Sequence, residues 1–260
     1  MKKLFAMVLA LIMALTCFAA CGSKAPTTDM EAVKVKGKLV VGITDYAPMD
    51  YKDENGEWTG FDAEFAQLFA KELGVECEFY VISDWGKKFL ELDTKQIDAV
   101  WNGMTITEEA TLNASVSDPY VINAQVVVMK ADKLADYADA ESMKDLIFAV
   151  ENGSAGQDAA AGIGATNIVA VQDQAAALME VAAGTSDACV IDITMANAMT
   201  GEGTSYADLG YAVSLTSEEY GVAFRKDSDL TAAFNAFMDK LIADGTLQEL
   251  AAKYNLTLAG

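Results

Sequence analysis

Beyond its N-terminal segment, the chain alternates short apolar runs with stretches that carry apolar residues at helical spacing. Residues 39–43 form a continuous apolar run, and residues 61–73 have the spacing of an amphipathic helix that ends before Gly74. Short apolar runs bounded by turns are typical of buried strands, and glycine commonly follows the last turn of a helix. Residues 75–82 and 97–101 are predicted as the next two strands. Strands that alternate with helices predict an α/β fold whose parallel sheets are built from βαβ units.

The same alternation restarts in the second half of the chain and then returns to the first pattern. We find no tandem repeat, and the order of the elements instead indicates two similar halves, one inserted into the other. Residues 37–125 together with residues 220–260 are predicted to form lobe 1, and residues 126–219 to form lobe 2. The elements predicted in this part are strands at residues 125–130, 147–150, 168–171, 189–191 and 220–225 and helices at residues 174–183 and 230–250.

The first 21 residues have the pattern of a secretory leader. Lys2 and Lys3 precede an uncharged, almost wholly apolar stretch at residues 4–18, and small residues precede Cys21. A positive start, an apolar core and a small-residue cleavage site define an export signal. A cysteine at that point resembles the lipobox of bacterial lipoproteins, in which the cysteine becomes the lipid-modified first residue. An ordinary secreted protein and an uncleaved membrane span are the alternatives.

Residues 1–21 are therefore predicted to be a lipoprotein signal peptide, with Cys21 as the site of lipidation. The mature protein would lie outside the cytoplasm, anchored to the membrane through its lipid, on the outer face of the cytoplasmic membrane or in the periplasm. Residues 22–36 carry Gly, Ser, Pro and Thr without apolar periodicity. That composition predicts a flexible tether between the anchor and the lobes.

Charge and residue counts exclude several classes of protein. The formal net charge is −21, and the chain contains no histidine and four cysteines. So acidic a surface repels nucleic acid, and we expect no nucleic-acid partner. Without histidine, Ser-His-Asp triads, Cys-His pairs and His-containing zinc sites are excluded. Cys77 and Cys189 are expected to be buried free thiols in different lobes, with a disulfide between them as the alternative.

Short segments across residues 37–256 stand in a recognisable order. They are GKLVVG (37–42), GFD (60–62), KELG (71–74), IDA (97–99), GMTIT (103–107), SDPY (117–120), GSA (153–155), YGVAFRK (220–226) and DGT (244–246). This ordered set resembles the solute-binding proteins of bacterial amino-acid ABC transporters, the family 3 extracellular solute-binding proteins. The resemblance implies an α/β, periplasmic-binding-protein-like fold of type II, in which two α/β lobes are joined by two hinge strands with a ligand cleft between them. The crossover strands would fall near residues 125–130 and 212–220.

The resemblance also implies a function, that of the extracytoplasmic solute-binding component of an ABC importer. Ligand held by both lobes would stabilise a closed state reached by hinge motion, which a membrane permease would distinguish from the open state. The expected partners are a small amino acid or related amine, the permease, and the membrane through the lipid anchor. We expect a monomer without catalytic residues, cofactor or metal. The alternatives are an extracytoplasmic enzyme of the same fold that resembles cyclohexadienyl dehydratase, and a ligand sensor for a signalling receptor.

The resemblance places the ligand positions at the carboxyl ends of predicted strands, where open α/β sheets bind ligands. Asp192 would accept hydrogen bonds from a ligand ammonium, although it could also cap the helix that follows it. Trp85 and Tyr46 would sandwich a ligand side chain, with core packing as the alternative. Thr105 and the main chain near Gly103 would donate hydrogen bonds to a carboxylate or carbonyl. The full predicted set is Asp45, Tyr46, Trp85, Asn102, Gly103, Thr105, Glu151, Ser154, Ala155, Gly156 and Asp192.

One position departs from the family pattern. Amino-acid binders of this family place an arginine shortly after the Thr-Ile-Thr segment, where it holds the ligand carboxylate, but this chain has Ala110 there. Arg225, the chain's one arginine, is predicted at the surface or the lobe edge. Because a buried carboxylate without a cation is costly, three solutions stay open. They are a ligand without a carboxylate, a substitute lysine such as Lys88, or main-chain donors at the helix that begins near Glu108.

Acidic residues dominate the predicted site. If Asp45, Glu151 and Asp192 all face the cleft, their charges favour a positively charged ligand over an acidic one. We therefore expect a neutral to cationic amino acid, or a related amine, and we do not expect glutamate or aspartate to be the ligand.

Overall fold

The computed structural model describes residues 25–137 and 139–260. The chain runs through one lobe, crosses to a second and returns to the first. The predicted signal peptide at residues 1–21, with the lipidation site Cys21, lies outside the described residues, as do residues 22–24 of the predicted tether.

Helices and strands alternate along all three passages. The first passage contains α1 (Asp29–Lys36), β1 (Lys38–Ile43), β2 (Tyr51–Lys52), β3 (Trp58–Thr59), α2 (Phe61–Leu73), β4 (Glu76–Val81), α3 (Lys88–Asp93), β5 (Ala99–Val100), α4 (Glu108–Asn113) and β6 (Ser115–Val116). The middle passage contains β7 (Val121–Asn123), β8 (Gln125–Lys130), β9 (Ile147–Glu151), α5 (Ala155–Gly162), β10 (Asn167–Val171), α6 (Gln174–Ala183), β11 (Ala188–Asp192), α7 (Ile193–Met199), β12 (Leu209–Ser214) and β13 (Glu218–Tyr220). The return adds β14 (Ala223–Phe224), α8 (Asp229–Asp244) and α9 (Thr246–Lys253). Short 3₁₀ helices lie at Trp85–Lys87, Ala131–Asp136 and Glu141–Met143.

Two five-stranded mixed sheets form the centres of the lobes. In lobe 1 the order is β4-β1-β5-β14-β6, and β14 runs antiparallel to both of its neighbours. In lobe 2 the order is β10-β9-β11-β8-β12, and β8 runs antiparallel to β11 and β12. The predicted parallel sheets are therefore each interrupted by one antiparallel strand, β14 in lobe 1 and β8 in lobe 2. The chain enters lobe 2 on β8 and re-enters lobe 1 on β14, and each entering strand runs against the βαβ units of its sheet.

An antiparallel pair of strands, β7 and β13, connects the two lobes. Ile122 lies opposite Glu219 in this pair, which we call the hinge ribbon. The sequence places the first crossover at residues 125–130, but these residues are β8, inside the sheet of lobe 2. Five consecutive buried residues in β8 give a crossover strand and a core strand the same apolar pattern, so the sequence alone does not separate them.

Helix α1 lies in the segment predicted to be a flexible tether, so that prediction is wrong for residues 29–36. Thr28 caps the N-terminus of the helix, and Asp29 pairs with Arg225 Nε at 3.0 Å. Val33 is the one buried residue of the helix. With so narrow an apolar face, the helix has no pattern that would separate it from a polar linker.

Arg225 is buried, in contrast to its predicted place at the surface or lobe edge. Besides Asp29, its guanidinium pairs with Asp98 at 3.1 Å and donates to the carbonyl oxygens of Leu92 at 3.2 Å and Ile97 at 2.6 Å. Arg225 thus ties α1 to the chain that enters β5. Its donors are engaged in the interior of lobe 1.

The two cysteines of the lobes are free thiols in different lobes. Cys77 lies half-buried in β4, and Cys189 is buried in β11. Burial raises the pKa of the Cys77 thiol to about 12, so it stays protonated and unreactive at neutral pH. Across residues 25–137 and 139–260, no helix combines the length and the apolar character that a membrane span requires, and no group of three or more acidic or cysteine residues is arranged to hold a metal ion.

Candidate ligand-binding cleft

The two lobes meet around a cavity with about 510 Å³ of empty space, part of which opens to solvent. Asn152 of lobe 2 donates to Asp84 of lobe 1 at 3.0 Å. A Cβ atom built on Gly153 would lie 2.6 Å from Gly86 Cα, so the two main chains touch with no room for a side chain. These contacts describe a closed cleft.

Most of the predicted site residues line this cavity. The predicted residues that line it are Trp85, Asn102, Gly103, Thr105, Glu151, Ser154, Ala155 and Asp192. The lining residues outside the predicted set are Lys88, Met104, Thr107, Glu109, Ala110, Gln125, Gly153, Asp158 and Gln174.

Asp45 and Gly156, although predicted, lie outside the cavity lining. The Asp45 side chain is exposed to solvent. The protein around it still displaces part of its water, and this partial desolvation, followed by the charge of Asp173, raises the pKa of its carboxyl. Gly156 has a packing role, because a Cβ atom there would lie 2.7 Å from the carbonyl oxygen of Val190. Its missing side chain lets α5 approach β11.

Tyr46 also lies outside the cavity lining, so the predicted sandwich of Tyr46 and Trp85 around a ligand side chain is not formed. The Tyr46 ring is buried, and a Cβ atom on Gly103 would lie 2.6 Å from it. Its hydroxyl is 2.6 Å from Thr194 Oγ1 of lobe 2 and also contacts the Tyr220 hydroxyl. Tyr46 therefore links the lobes behind the cavity.

Asp192 ends β11, and its carboxylate lies in the cavity wall. Oδ1 accepts from Asn123 Nδ2 and from Gln125 Nε2, the latter at 2.7 Å, and Oδ2 accepts from Gln174 Nε2. The alternative role as a helix cap is not used, because Asp192 occupies the N-cap position of α7 without a side-chain capping bond. Burial raises the pKa of Asp192 to about 6. The acid is thus held by amides and ionises just below neutral pH.

Glu218 of the hinge ribbon lies behind Asp192. It accepts from Asn123 Nδ2 and Gln125 Nε2, each at 2.6 Å, and from Thr105 Oγ1 at 2.9 Å. The Thr105 hydroxyl, predicted to donate to the ligand, therefore donates to Glu218.

Lys88 is the basic residue of the cavity wall. Its side chain is 6 % exposed, and Nζ donates to the carbonyl oxygens of Gly153 at 3.1 Å and Trp85 at 3.4 Å. Nζ also lies 5.1 Å from the centre of the Trp85 ring and 4.9 Å from that of Phe89. Burial lowers the pKa of Lys88, and the nearby charge of Glu109 opposes this shift. The ammonium is surrounded by carbonyls and ring faces, with no carboxylate within 4.0 Å among the described residues.

Glu151 is a second buried acid of the cavity wall. Its Oε1 has no hydrogen-bond partner among the described residues. Burial, followed by the charges of Asp192 and Asp173, raises the pKa of Glu151 well above its usual range. This acid therefore holds its proton to higher pH than an ordinary glutamate does.

The loop after β5 forms the lobe 1 wall. Asn102 exchanges two hydrogen bonds with Thr44, through the Thr44 N–H at 2.8 Å and its hydroxyl at 2.7 Å. The Gly103 N–H donates to buried Asp62 at 2.6 Å. The main-chain donor predicted here for a ligand is therefore already used, and this wall supplies shape more than free donors.

The N-terminus of α5 forms part of the lobe 2 wall. Ser154 caps the helix, accepting from the Gln157 N–H at 3.2 Å. Ala155, the first helical residue, lines the cavity. The first N–H groups of a helix have no partner within it and carry its positive end, so this wall favours an anionic group.

Sequence reasoning missed Gln125, Gln174 and Glu218. Gln174 follows the carboxyl end of β10, so the strand-end rule that found the other residues also points to it. Gln125 is the first residue of β8, and Glu218 is the first residue of the hinge-ribbon strand β13. Their role depends on the pairing of β7 with β13, which has no local sequence signal.

Comparison with known proteins shows one family. The family model for bacterial extracellular solute-binding proteins, family 3, matches residues 39–257. The chain is 30% identical over 229 residues to the L-cystine-binding protein TcyJ of Escherichia coli (strain K12). This alignment covers 86% of this chain and 85% of that protein. It is 31% identical over 246 residues to the arginine-binding extracellular protein ArtP of Bacillus subtilis (strain 168), covering 90% of this chain and 91% of that protein.

A solved structure agrees with these relatives. The crystal structure of the ancestral amino acid-binding protein AncCDT-1, a precursor of cyclohexadienyl dehydratase, matches with a TM-score of 0.80 and 32% identity over 87% of this chain and 99% of that chain. All three proteins are named for binding rather than for catalysis. The predicted two-lobed, type II periplasmic-binding-protein-like fold is confirmed. The chain belongs to the bacterial extracellular solute-binding proteins, family 3.

Proposed function

We propose that this protein is the extracytoplasmic solute-binding component of an ABC importer and that its cleft holds one small amino acid, neutral or cationic. The observation that carries this proposal is the Asp192 carboxylate, which lies in the wall of a cavity between two lobes. A carboxylate has about four acceptor positions, and the amides occupy three of them. Oδ2 accepts one amide hydrogen bond, from Gln174, and it is the proposed acceptor of a charge-assisted hydrogen bond from a ligand ammonium.

Lys88 is the proposed partner of the ligand's carboxylate. The methyl group of Ala110 lines the same cavity and offers no charge where the family has an arginine. A buried ammonium without a counter-ion is strongly destabilising, and a ligand carboxylate would supply the missing charge. Because Lys88 would otherwise face carbonyls and rings alone, an amine without a carboxylate is the less favoured ligand.

The other charges of the wall oppose an acidic ligand. Lys88 is the one basic residue among those that line the cavity, and the acidic ones are Glu109, Glu151, Asp158 and Asp192. A second carboxylate on the ligand would meet these acids at short range in a partly desolvated space. Glu151 can donate its proton to a neutral polar side chain or release it to pair with a cationic one, which supports both neutral and cationic amino acids.

Delivery to the membrane completes the proposal. Ligand contacts from both lobes favour the closed cleft, and a permease would recognise that shape. The lipid anchor proposed at Cys21 would keep the protein on the outer side of the membrane, as a monomer, near its permease.

Titration calorimetry of the mature protein tests this function. The panel contains L-arginine, L-lysine, L-glutamine, L-cystine and L-glutamate, together with agmatine and cadaverine, the decarboxylated forms of arginine and lysine. We expect at least one neutral or cationic amino acid to bind, with glutamate and both amines at least about 100-fold weaker. The amines lack the carboxylate that would pair with Lys88, and glutamate brings a second carboxylate close to the acids of the wall. Tight binding of glutamate alone, or of no panel member, contradicts the proposal.

A variant separates the role of Lys88 from the function as a whole. Lys88→Met should weaken the amino acid by about 100-fold and leave the amines unchanged, while Lys88→Arg, which keeps the charge, should restore part of the affinity. If an amine binds the wild-type protein as tightly as its parent amino acid, the proposed role of Lys88 is wrong, although solute binding stands.

A further inference from the structure

The two carboxylates Asp192 and Glu218 share their hydrogen-bond donors. Asn123 Nδ2 and Gln125 Nε2 each donate to Glu218 at 2.6 Å and also to Asp192, Gln125 at 2.7 Å. A side-chain amide has two N–H hydrogens, so each amide donates one hydrogen to Asp192 and the other to Glu218. The amides thus hold two acids side by side where the cleft meets the hinge ribbon.

Glu218 also connects the lobes around that junction. It accepts from Thr105 Oγ1 of the lobe 1 wall at 2.9 Å and from Thr216 Oγ1 at 3.1 Å. Thr216 in turn accepts from the N–H of Gln125, the first residue of β8, at 2.8 Å. Among the described residues, no lysine or arginine lies within 4.0 Å of the Glu218 carboxylate. Its partners are therefore neutral, and its charge adds to that of Asp192.

We propose that Glu218 is a positioning residue that sets how strongly the cleft attracts the ligand's ammonium, because it holds Asp192 through the shared amides and places a second negative charge beside it. This inference rests on the proposed function, since it takes Asp192 as the acceptor of the ammonium. The paired acids favour an amino acid with a protonated amine over an uncharged analogue. A single buried acid would attract it less.

The surroundings of Asp192 support a charge effect. Glu218 faces it from β13, Glu151 from β9, and the hydroxyls of Tyr220 and Tyr46 from β13 and the loop after β1. Burial, followed by the charge of Glu218, raises the pKa of Asp192, and hydrogen bonds oppose the shift. Glu218 is thus the largest charge that acts on this acid.

The pH dependence of binding follows from this arrangement. Below a pH of about 6, Asp192 in the empty cleft carries a proton that the ammonium must displace. Affinity therefore falls as the pH drops through that value, by about tenfold per pH unit at the acid end. Without the Glu218 charge, Asp192 ionises at lower pH, so the loss begins later, while the attraction at high pH is weaker.

Glu218→Gln tests the proposal, because glutamine keeps the Oε1 acceptor and removes the charge. Calorimetry at pH 5 and pH 8 uses the amino acid of the panel that binds the wild-type protein most tightly. We expect wild-type affinity to be about tenfold weaker at pH 5 than at pH 8, and the variant to change by about twofold. At pH 8 the variant should bind several-fold more weakly than the wild type.

Two further variants make the result decisive. Glu219→Gln removes a charge from the exposed neighbouring position and should change neither the affinity nor its pH dependence. Glu218→Ala makes the same charge change with a smaller side chain and replaces the glutamine variant if that one does not fold. A pH dependence like that of the wild type in the Glu218 variants overturns the proposal, whatever the affinity at pH 8. A wild-type protein that binds no panel member contradicts the proposed function instead.

Discussion

Two buried acid sites in this protein have opposite surroundings. Asp192, in the cavity wall, receives three amide hydrogen bonds. Asp50, in the core of lobe 1, has no partner at either carboxylate oxygen among the described residues, and neighbouring Asp62 has one oxygen without a partner. The other Asp62 oxygen accepts from the Gly103 N–H at 2.6 Å and the Tyr120 hydroxyl at 2.8 Å. Both sites are fully buried, so depth does not distinguish them.

The difference between the two sites shows that hydrogen-bond donors, more than the depth of burial, decide whether a buried acid can bind a cation. Burial raises the pKa of Asp192 to about 6 and that of Asp62 to about 7. Burial and the charge of Asp62 raise the pKa of Asp50 well above its usual range. The core pair therefore holds its protons to higher pH than Asp192 does, and Asp192 is mostly ionised at neutral pH and available to an ammonium.

Removing the charge of Asp192 should have the largest effect on binding. Asp192→Asn keeps the shape of the side chain but places an amide beside the donors of Gln125 and Gln174. We expect affinity for the bound amino acid to fall by at least about 100-fold, because a buried charge pair loses one partner. Calorimetry measures the loss, and circular dichroism checks that the fold is kept. Affinity within threefold of the wild type would show that Asp192 does not receive the ammonium.

Replacing the carboxyl group of Asp50 should instead change stability. Burial and the charge of Asp62 raise the pKa of Asp50 well above its usual range in the folded protein, so stability is lost as the pH rises above the ordinary aspartate value of 3.8. Asp50→Asn removes that loss and leaves Asp62, whose pKa burial raises to about 7, to ionise as before. We expect the variant to gain about 1–2 kcal/mol at pH 8 relative to pH 4, or ~5 °C in Tm. Thermal unfolding at both pH values measures this gain, and Asp239→Asn, at an exposed position of α8, is the control. A gain of equal size at both pH values would contradict the proton-sharing pair.

An exposed acid near the cleft should matter least. Asp45 is exposed and lies outside the cavity lining, so solvent and salt screen its charge. Asp45→Asn should weaken the amino acid by no more than about twofold at 0.15 M salt. Calorimetry under the conditions used for Asp192→Asn provides the comparison. A tenfold loss would return Asp45 to the ligand site.

Local patterns in the sequence predicted much of the fold. The helix predicted at residues 61–73 is α2, with Gly74 as its αL C-cap. The helix predicted at residues 230–250 is two helices, because Gly245, with φ of +87°, ends α8 before α9 begins. Apolar spacing continues on both sides of Gly245, so the break depends on backbone conformation that spacing does not report.

The residues of the cleft were likewise predictable only in part from local patterns. Strand ends located Trp85, Asn102 and Asp192, since the carboxyl ends of sheet strands face the cavity. The amides of Asn123 and Gln125, which Asp192 and Glu218 share, depend on contacts between residues far apart in the chain, and no spacing rule predicts them.

The docking of α1 on lobe 1 leaves only a short connection to the lipid proposed at Cys21. Asp29 is fixed through Arg225, so only residues 22–28 separate a lipid on Cys21 from the folded body. Seven extended residues span at most about 25 Å. With the proposed lipid in place, the protein would stay within a thin layer above the bilayer, and its concentration near a permease in the same membrane would rise.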